Sequence, residues 1–414
     1  MTDLCYPKSQ PLLTVEQAMH HIRQAITAIE DSETIDITHA LGRVLAETVV
    51  SPLDIPPHRS AAMDGYAYTS RDISPDQAVS LQLVGCAWAG KPFSGEIAPG
   101  QCVRIFTGAV VPAFADSVVA QEQVSRDGDH ISFPSDTPSG KNIRPAGSDV
   151  AKQAVLIAAP KLLSPADLGL LASAGIARIT VKRRLKIGFF STGDELAALG
   201  QALQPGQIYD SNRYLLSGLL VDPNYEAIDL GVVPDDPQQL EQTLSDASKP
   251  FDVLISTGGA SVGEADFVQQ TLAKCGEVNF WKLAIKPGKP LAFGKVGRCW
   301  FFGLPGNPVA VLVTYKEFVS PALRQLAGLR SSSPLQLKAR CQVPLRKSPG
   351  RQEYQRGILS QAAPGEFNVT LAGRQDSHQL QVASLANCFI VLDAQCAGIK
   401  AGEMVSVEPF GMEL

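Results

Sequence analysis

Leu185-Lys186-Ile187-Gly188-Phe189-Phe190-Ser191-Thr192-Gly193-Asp194-Glu195 decides the fold class. Its first six residues are almost continuously apolar, the pattern of a strand covered on both faces and not of one with a wet side. Two further runs share it, Tyr225 to Leu230 and Phe251-Asp252-Val253-Leu254-Ile255, and helical patterns at Asn212 to Leu220 and Asp236 to Ala247 fall between them. Strand–helix alternation of this kind predicts a doubly wound parallel sheet. Ligands of such a sheet bind beyond the carboxyl ends of its strands, so chemistry is expected where each run breaks into polar residues.

Toward the N-terminus, Thr14 and Gln17 form a capping-box pattern ahead of Val15, Met19, Ile22, Ile26 and Ile29, which recur at helical spacing. Prolines at 52, 56 and 57 forbid a helix and lead into Met63-Asp64-Gly65-Tyr66. From there to about residue 147, short runs such as Cys102-Val103-Arg104-Ile105-Phe106 between Gly/Pro turns predict a small β domain, followed by a helix around Pro165 to Ala174. Beyond the sheet region, a helix from about Pro308 to Leu326 and a serine-rich joint at 331 to 333 lead into a separate C-terminal β module.

At 414 residues the chain exceeds what one core organises. A net charge of −5 gives no basic footprint for nucleic acid. No cationic start precedes an apolar run, and no stretch approaches the roughly 18 apolar residues of a membrane helix, so a protein of the cytoplasm with no membrane partner is expected. The eight cysteines form no Cys-x-x-Cys pair, and Cys86, Cys299 and Cys388 read as small buried side chains.

The strand-end loops are rich. Ser191 to Glu195 and Ser256-Thr257-Gly258-Gly259-Ala260-Ser261-Val262-Gly263-Glu264-Ala265-Asp266 combine hydroxyls, glycines and carboxylates. Gly258, Gly259 and Ser261 could turn backbone N–H groups around an anion, while Glu195 and Asp266 could hold a hard cation beside it. The plainer account is a Gly-Gly turn with acidic helix caps. In Phe280-Trp281-Lys282-Leu283-Ala284-Ile285-Lys286, period-two alternation puts Lys282 and Lys286 on one face, and Pro287-Gly288 then presents Lys289. Three converging lysines in an acidic protein point to an anion site. Gly303-Leu304-Pro305-Gly306-Asn307-Pro308 places Asn307 as N-cap and Pro308 at the first helical position, a helix start that also suits an anion. Asp64 and Asp149 lie in turns, and His378 is a loop histidine without a metal-ligand partner.

Taken with Ala62-Met63-Asp64-Gly65-Tyr66-Ala67, Arg104-Ile105-Phe106-Thr107-Gly108, Lys286-Pro287-Gly288-Lys289-Pro290 and Leu304-Pro305-Gly306-Asn307-Pro308, these motifs run in order along nearly the whole chain, which resembles the molybdopterin molybdenumtransferase family, relatives of the gephyrin C-terminal domain. The resemblance implies an α/β multidomain protein. Residues 11–51 with 148–176 would form a linker and dimer domain, 52–147 the small β domain, 177–328 the molybdopterin-binding α/β domain, and 333–414 a barrel-like β domain. It implies a homodimer whose active site lies where the sheet domain of one subunit faces the small β domain of the other. It further implies insertion of molybdate into adenylylated molybdopterin with release of AMP, assisted by Mg²⁺. The molybdopterin adenylyltransferase and acceptor molybdoenzymes are expected partners.

Carried over by position, the functional residues would be Asp64, Thr107, Asp149, Glu195, Asp235, Asp266, Lys282, Lys286, Pro305, Pro308, Arg356 and Ser377. Arg356 and Ser377 would join Lys286 and Lys289 around molybdate. Three departures stand out: Ser60-Ala61 where the family often has Asn-Ser, Ala310 where it often has serine, and Asp376 in place of a small residue. The competing functions are a molybdopterin adenylyltransferase, which the sheet domain alone resembles, and a gephyrin-like non-enzymatic scaffold.

Overall fold

The computed structural model describes residues 12–73, 78–258, 267–330 and 334–411. The chain forms two compact units, one of Thr34–Leu41 with Leu45–Thr180, the other of Met1–Glu33, Gly42–Val44 and Val181–Leu414. Helix α1 (Val15–Ala25) of the second-named unit opens with the expected capping box: Thr14 Oγ accepts from Gln17 N–H, and Gln17 Oε1 accepts from Thr14 N–H. The helix stops earlier than the apolar spacing predicts. The Gln325 side chain donates to the carbonyls of Arg23 and Ile26, and Ile29 N–H pairs with Leu326. Ile26 is still buried, so the apolar stripe outlasts the helix.

The smaller unit carries a six-stranded sheet of β1 (Gly65–Tyr68), β2 (Val79–Ala87), β3 (Gln101–Ile105), β4 (Ser117–Ala120), β5 (Ser125–Asp127) and β6 (His130–Phe133), in the order β4-β1-β3-β2-β6-β5. Both faces are covered: Ala67, Val103, Ile105 and Val118 pack on one side, Tyr66, Tyr68, Cys102 and Val119 on the other. Gly65 is fixed by this crowding, because a Cβ there would collide with the Val119 carbonyl oxygen. One expectation fails. Cys86 is exposed, because a bulge between Leu83 and Gly85 slips the phase of β2 and turns it outward, whereas Cys299 and Cys388 are buried as expected. Helix α2 (Pro165–Ser173) follows, capped by Ser164 and Asp167.

The larger unit holds the doubly wound sheet: β7 (Leu185–Thr192), α3 (Ser211–Leu219), β8 (Tyr225–Val233), α4 (Pro237–Ala247), β9 (Val253–Thr257), α5 (Phe267–Cys275), β10 (Gly276–Lys282), then β11 (Ile285–Lys286), β12 (Pro290–Val296) and β13 (Cys299–Leu304). Strand order is β8-β7-β9-β13-β12-β10. The first four are parallel; β12 and β10 turn antiparallel at one edge. Ile187, Phe189, Val253, Ile255 and Phe302 fill one core while Phe190, Leu254 and Phe301 fill the other, which is why β7 and β9 are largely apolar; the edge strand β8, expected to be covered on both faces, is instead exposed from Glu226 to Asp229.

Helix α6 (Pro308–Thr314) continues through a π-helical turn, Tyr315–Val319, into α7 (Ser320–Leu326). The turn buries Glu317, which accepts from the Tyr354 hydroxyl at 2.9 Å. Burial first, and then the neighbouring Glu408, pushes the Glu317 carboxyl well above its usual range. The C-terminal strands β14 (Leu337–Cys341), β15 (Gln352–Ala363), β16 (Glu366–Leu371), β17 (Cys388–Leu392) and β18 (Met404–Pro409) pair β15-β16-β14-β18-β17, and β17 returns to β15, closing a five-stranded barrel. Among the described residues no helix is long and apolar enough to cross a membrane.

Candidate functional site

Three sets of side chains gather at strand ends. The first surrounds a cavity of about 570 Å³ between the loops that follow β11 and β13 and the barrel's 375–377 segment. Lys286, Lys289, Pro305, Asn307 and Ser377 all line it. Asn307 is the N-cap of α6 and Pro308 its first residue, as predicted, although the Asn307 side chain makes no capping bond. The loop is held from outside by the Asn212 amide, which donates to the Gly306 carbonyl at 2.7 Å. Val309 N–H reaches the Ser377 carbonyl at 3.3 Å and so links the helix start to the barrel loop. Gly288 has φ +104, and a Cβ there would press on Thr314 Cγ2, so only glycine brings this loop so close to α6.

Lys286 pairs with Glu353 at 3.3 Å, and its side chain remains half exposed. Arg351 supplies a third cation that the sequence did not single out, and Asp376 supplies the opposing charge. Arg356 does not line the cavity. Its guanidinium is buried and donates to the carbonyls of Arg374 and Asp376, so it supports the loop from behind. Burial holds its pKa below the usual arginine value.

Lys282 also stands apart, and here the predicted single face must be revised. Trp281, Leu283 and Ile285 do alternate inward, but the ladder breaks after Lys282: β10 pairs within the sheet, whereas β11 pairs in parallel with β15 of the barrel, Lys286 opposite Glu353. Local alternation cannot reveal that a strand changes sheets.

The second set is acidic. Asp194 and Glu195 follow β7 and Asp235 follows the adjacent β8, with Asp235 N–H donating to Asp194 Oδ1 at 3.0 Å. Partial burial first, then Asp194 and Glu195, raises the Asp235 carboxyl above its usual value. Gly258 (φ +85) ends β9 beside these loops, where a Cβ would strike the Thr192 carbonyl oxygen at 2.6 Å. Gly259, Ser261 and Asp266 lie outside the described residues. Among the described residues no three His, Cys, Asp or Glu side chains come together as a metal-ligand group.

The third set lies in the smaller unit. Thr107 donates its N–H (2.8 Å) and its hydroxyl (2.7 Å) to Asp64 Oδ1. These two bonds, with help from Arg104, hold the Asp64 carboxyl below its usual range. Two residues 43 positions apart are thus brought into contact by β1 and β3. Asp149 is exposed in a turn whose backbone N–H bonds the Ile55 carbonyl, and among the described residues no hydrogen bond links it to Asp64.

Comparison with known proteins matches three stretches of the chain. Residues 13–175 match the MoeA N-terminal region (domain I and II), residues 188–325 the probable molybdopterin binding domain, and residues 338–410 the MoeA C-terminal region (domain IV). A Haemophilus influenzae protein named molybdopterin molybdenumtransferase is 41% identical over 401 residues, 96% of this chain and 99% of its own. A Nostoc protein of the same name is 39% identical over 387 residues, 91% and 88% of the two chains. The crystal structure of a molybdopterin biosynthesis moeA protein from Pyrococcus horikoshii aligns with a TM-score of 0.83 at 28% identity, covering 97% of this chain and 100% of that one.

Proposed function

This chain belongs to the MoeA family of molybdopterin molybdenumtransferases, and on that premise we propose that it inserts molybdate into adenylylated molybdopterin and releases AMP. The observation that carries the proposal is the cavity: Lys286, Lys289 and Arg351 around a helix start, sized for a compact anion beside a larger phosphorylated ligand. Lys286 and Lys289 neutralise oxyanion charge, Pro305, Asn307 and Pro308 shape the loop that receives it, and Ser377 donates from the barrel side. Arg356 positions that barrel loop. Asp64, kept ionised by Thr107, accepts a hydrogen bond from the substrate, and Asp149 and Lys282 are assigned supporting roles at its margin. Positioning and charge neutralisation are sufficient, with no covalent enzyme intermediate.

Mg²⁺ belongs to the same proposal. The residues present fit a hard cation in one respect: Asp235 is hydrogen-bonded through its backbone N–H to Asp194 and has Glu195 near it, so carboxylate oxygens gather at these strand ends. Glu195 and Asp266 would hold the ion, with Asp235 supporting Glu195, and when bound it would polarise the phosphoanhydride. The four-part domain division, a homodimer and a cytoplasmic location complete the proposal. Mixing Asp64→Ala with Lys286→Ala protein tests the dimer: restored activity requires that the two sets act across subunits.

The deciding experiment mixes purified protein with adenylylated molybdopterin, Mg²⁺ and molybdate. Molybdate-dependent AMP release with reconstitution of a cofactor-free molybdoenzyme is expected. Folded protein that gives neither signal would overturn the transferase, and consumption of ATP would replace it with an adenylyltransferase.

A further inference from the structure

One built surface of the smaller unit has no part in the scheme above. β2 turns directly through residues 88–91, where Trp88 and Lys91 exchange both backbone hydrogen bonds and Gly90 takes φ +78. The turn lays the Trp88 indole flat on the Phe106 ring, centroids 3.8 Å apart and planes 11° from parallel. The Arg104 guanidinium lies 4.9 Å from the Phe106 centroid and 4.8 Å from that of Tyr66, and it is itself held by the Gln121 side chain. One indole face is therefore fixed against a supported stack, yet Trp88 remains 51% exposed. An indole immobilised in this way offers its other face to a planar ring at little entropic cost.

The stack adjoins the Asp64–Thr107 pair in the chain: Phe106 precedes Thr107, and Tyr66 lies two residues after Asp64. Both Thr107 donors fall on Asp64 Oδ1, so Oδ2 has no hydrogen-bond partner among the described residues and stands as an acceptor. A flat aromatic face and a carboxylate acceptor, carried by the same pair of strands β1 and β3 through Tyr66, Phe106 and Thr107, together supply the chemistry that recognises a fused nitrogen heterocycle with amino or ring N–H donors.

We propose that Trp88 is the stacking platform for a fused amino-pyrimidine ring of the substrate, whose N–H groups face Asp64 Oδ2. The proposal rests on the transferase reading, which offers two such rings, the pterin and the adenine.

Kinetics and binding separate the cases. Trp88→Ala is expected to raise KM for adenylylated molybdopterin about tenfold or more with kcat nearly unchanged, and Trp88→Phe to restore most of the loss. Tryptophan fluorescence is titrated with AMP and, separately, with pterin-6-carboxylate; the probe that quenches wild type but not Trp88→Phe identifies the ring. Wild-type AMP release with an unchanged KM in Trp88→Ala would overturn the platform and leave the transferase standing. A change in sedimenting mass at unchanged KM would also overturn it, and would assign the indole to contact between copies of the chain. Absence of AMP release in wild type would sink the transferase instead, while quenching by either probe would still report a ring site at Trp88.

Discussion

Asp64 and Asp235 occupy comparable places, each in a loop at a strand end, yet their surroundings are opposite. Asp64 receives two donors from Thr107 and is stabilised as a carboxylate, whereas Asp235 is destabilised as one, first by partial burial and then by Asp194 and Glu195. The first is a finished acceptor whose geometry exists before substrate arrives. The second is incomplete and gains most from an arriving positive charge. Preorganisation and latent affinity can thus be told apart by asking which charge state the surroundings favour.

The sharpest way to break this contrast is Asp64→Asn, which keeps the shape and removes the charge. A loss of roughly 10²–10³ in kcat is expected, measured as AMP release; retained turnover would mean the charge is not used. Next comes the cation side. Asp235→Asn is expected to raise the Mg²⁺ concentration for half-maximal activity about tenfold, followed by Mg²⁺ titration at fixed substrate. The pH dependence of Mg²⁺ binding sharpens the same point: a carboxyl raised above 3.8 before the ion arrives gives that binding an acid limb above this value. Asp194→Asn removes one of the raising charges, so the limb should move to lower pH; an unmoved limb would exclude Asp235 as its source. A smaller effect, about three- to tenfold in kcat, is expected of Thr107→Val, which deletes one of the two donors and lets the Asp64 carboxyl rise toward its ordinary value.

The smallest effect concerns a third carboxyl at the buried extreme. Glu317 is raised in the folded state, so folding binds its proton more tightly than the unfolded chain does, and stability falls as pH climbs from the ordinary carboxyl value toward the folded one. Glu317→Gln should remove that loss and raise the melting midpoint at pH 8 by roughly 2–4 °C for each kcal/mol recovered. The difference should vanish near pH 4.

The central sheet was legible because Leu185 to Phe190 and Phe251 to Ile255 are buried on both sides, and burial on both sides leaves a mark in composition. Lys286, Lys289 and Asn307 were legible for a related reason: cations and helix starts stand out against an acidic chain. Asp64 and Thr107 were named only by resemblance, and their pairing was not foreseen, since nothing local joins residues 43 apart. Less legible still were the antiparallel edge strands β12 and β10, the bulge that exposes Cys86, and the break that separates Lys282 from Lys286. Each depends on which distant strand supplies the hydrogen bonds, and period-two alternation is blind to that choice. Arg351 was missed because an arginine between a glycine and a glutamine is unremarkable until the barrel brings it to the cavity rim.

The short strand β11 has a genetic consequence. Only two residues long, it is stitched to the first residues of β15, and it carries Lys286. A premature stop codon anywhere between residues 334 and 352 would therefore do more than remove the last module. It would strip the backbone partner from the lysine that faces the cavity, so a chain with an intact central sheet would still be functionally null, and an allele of that kind should behave as a complete loss in a cell that depends on this protein.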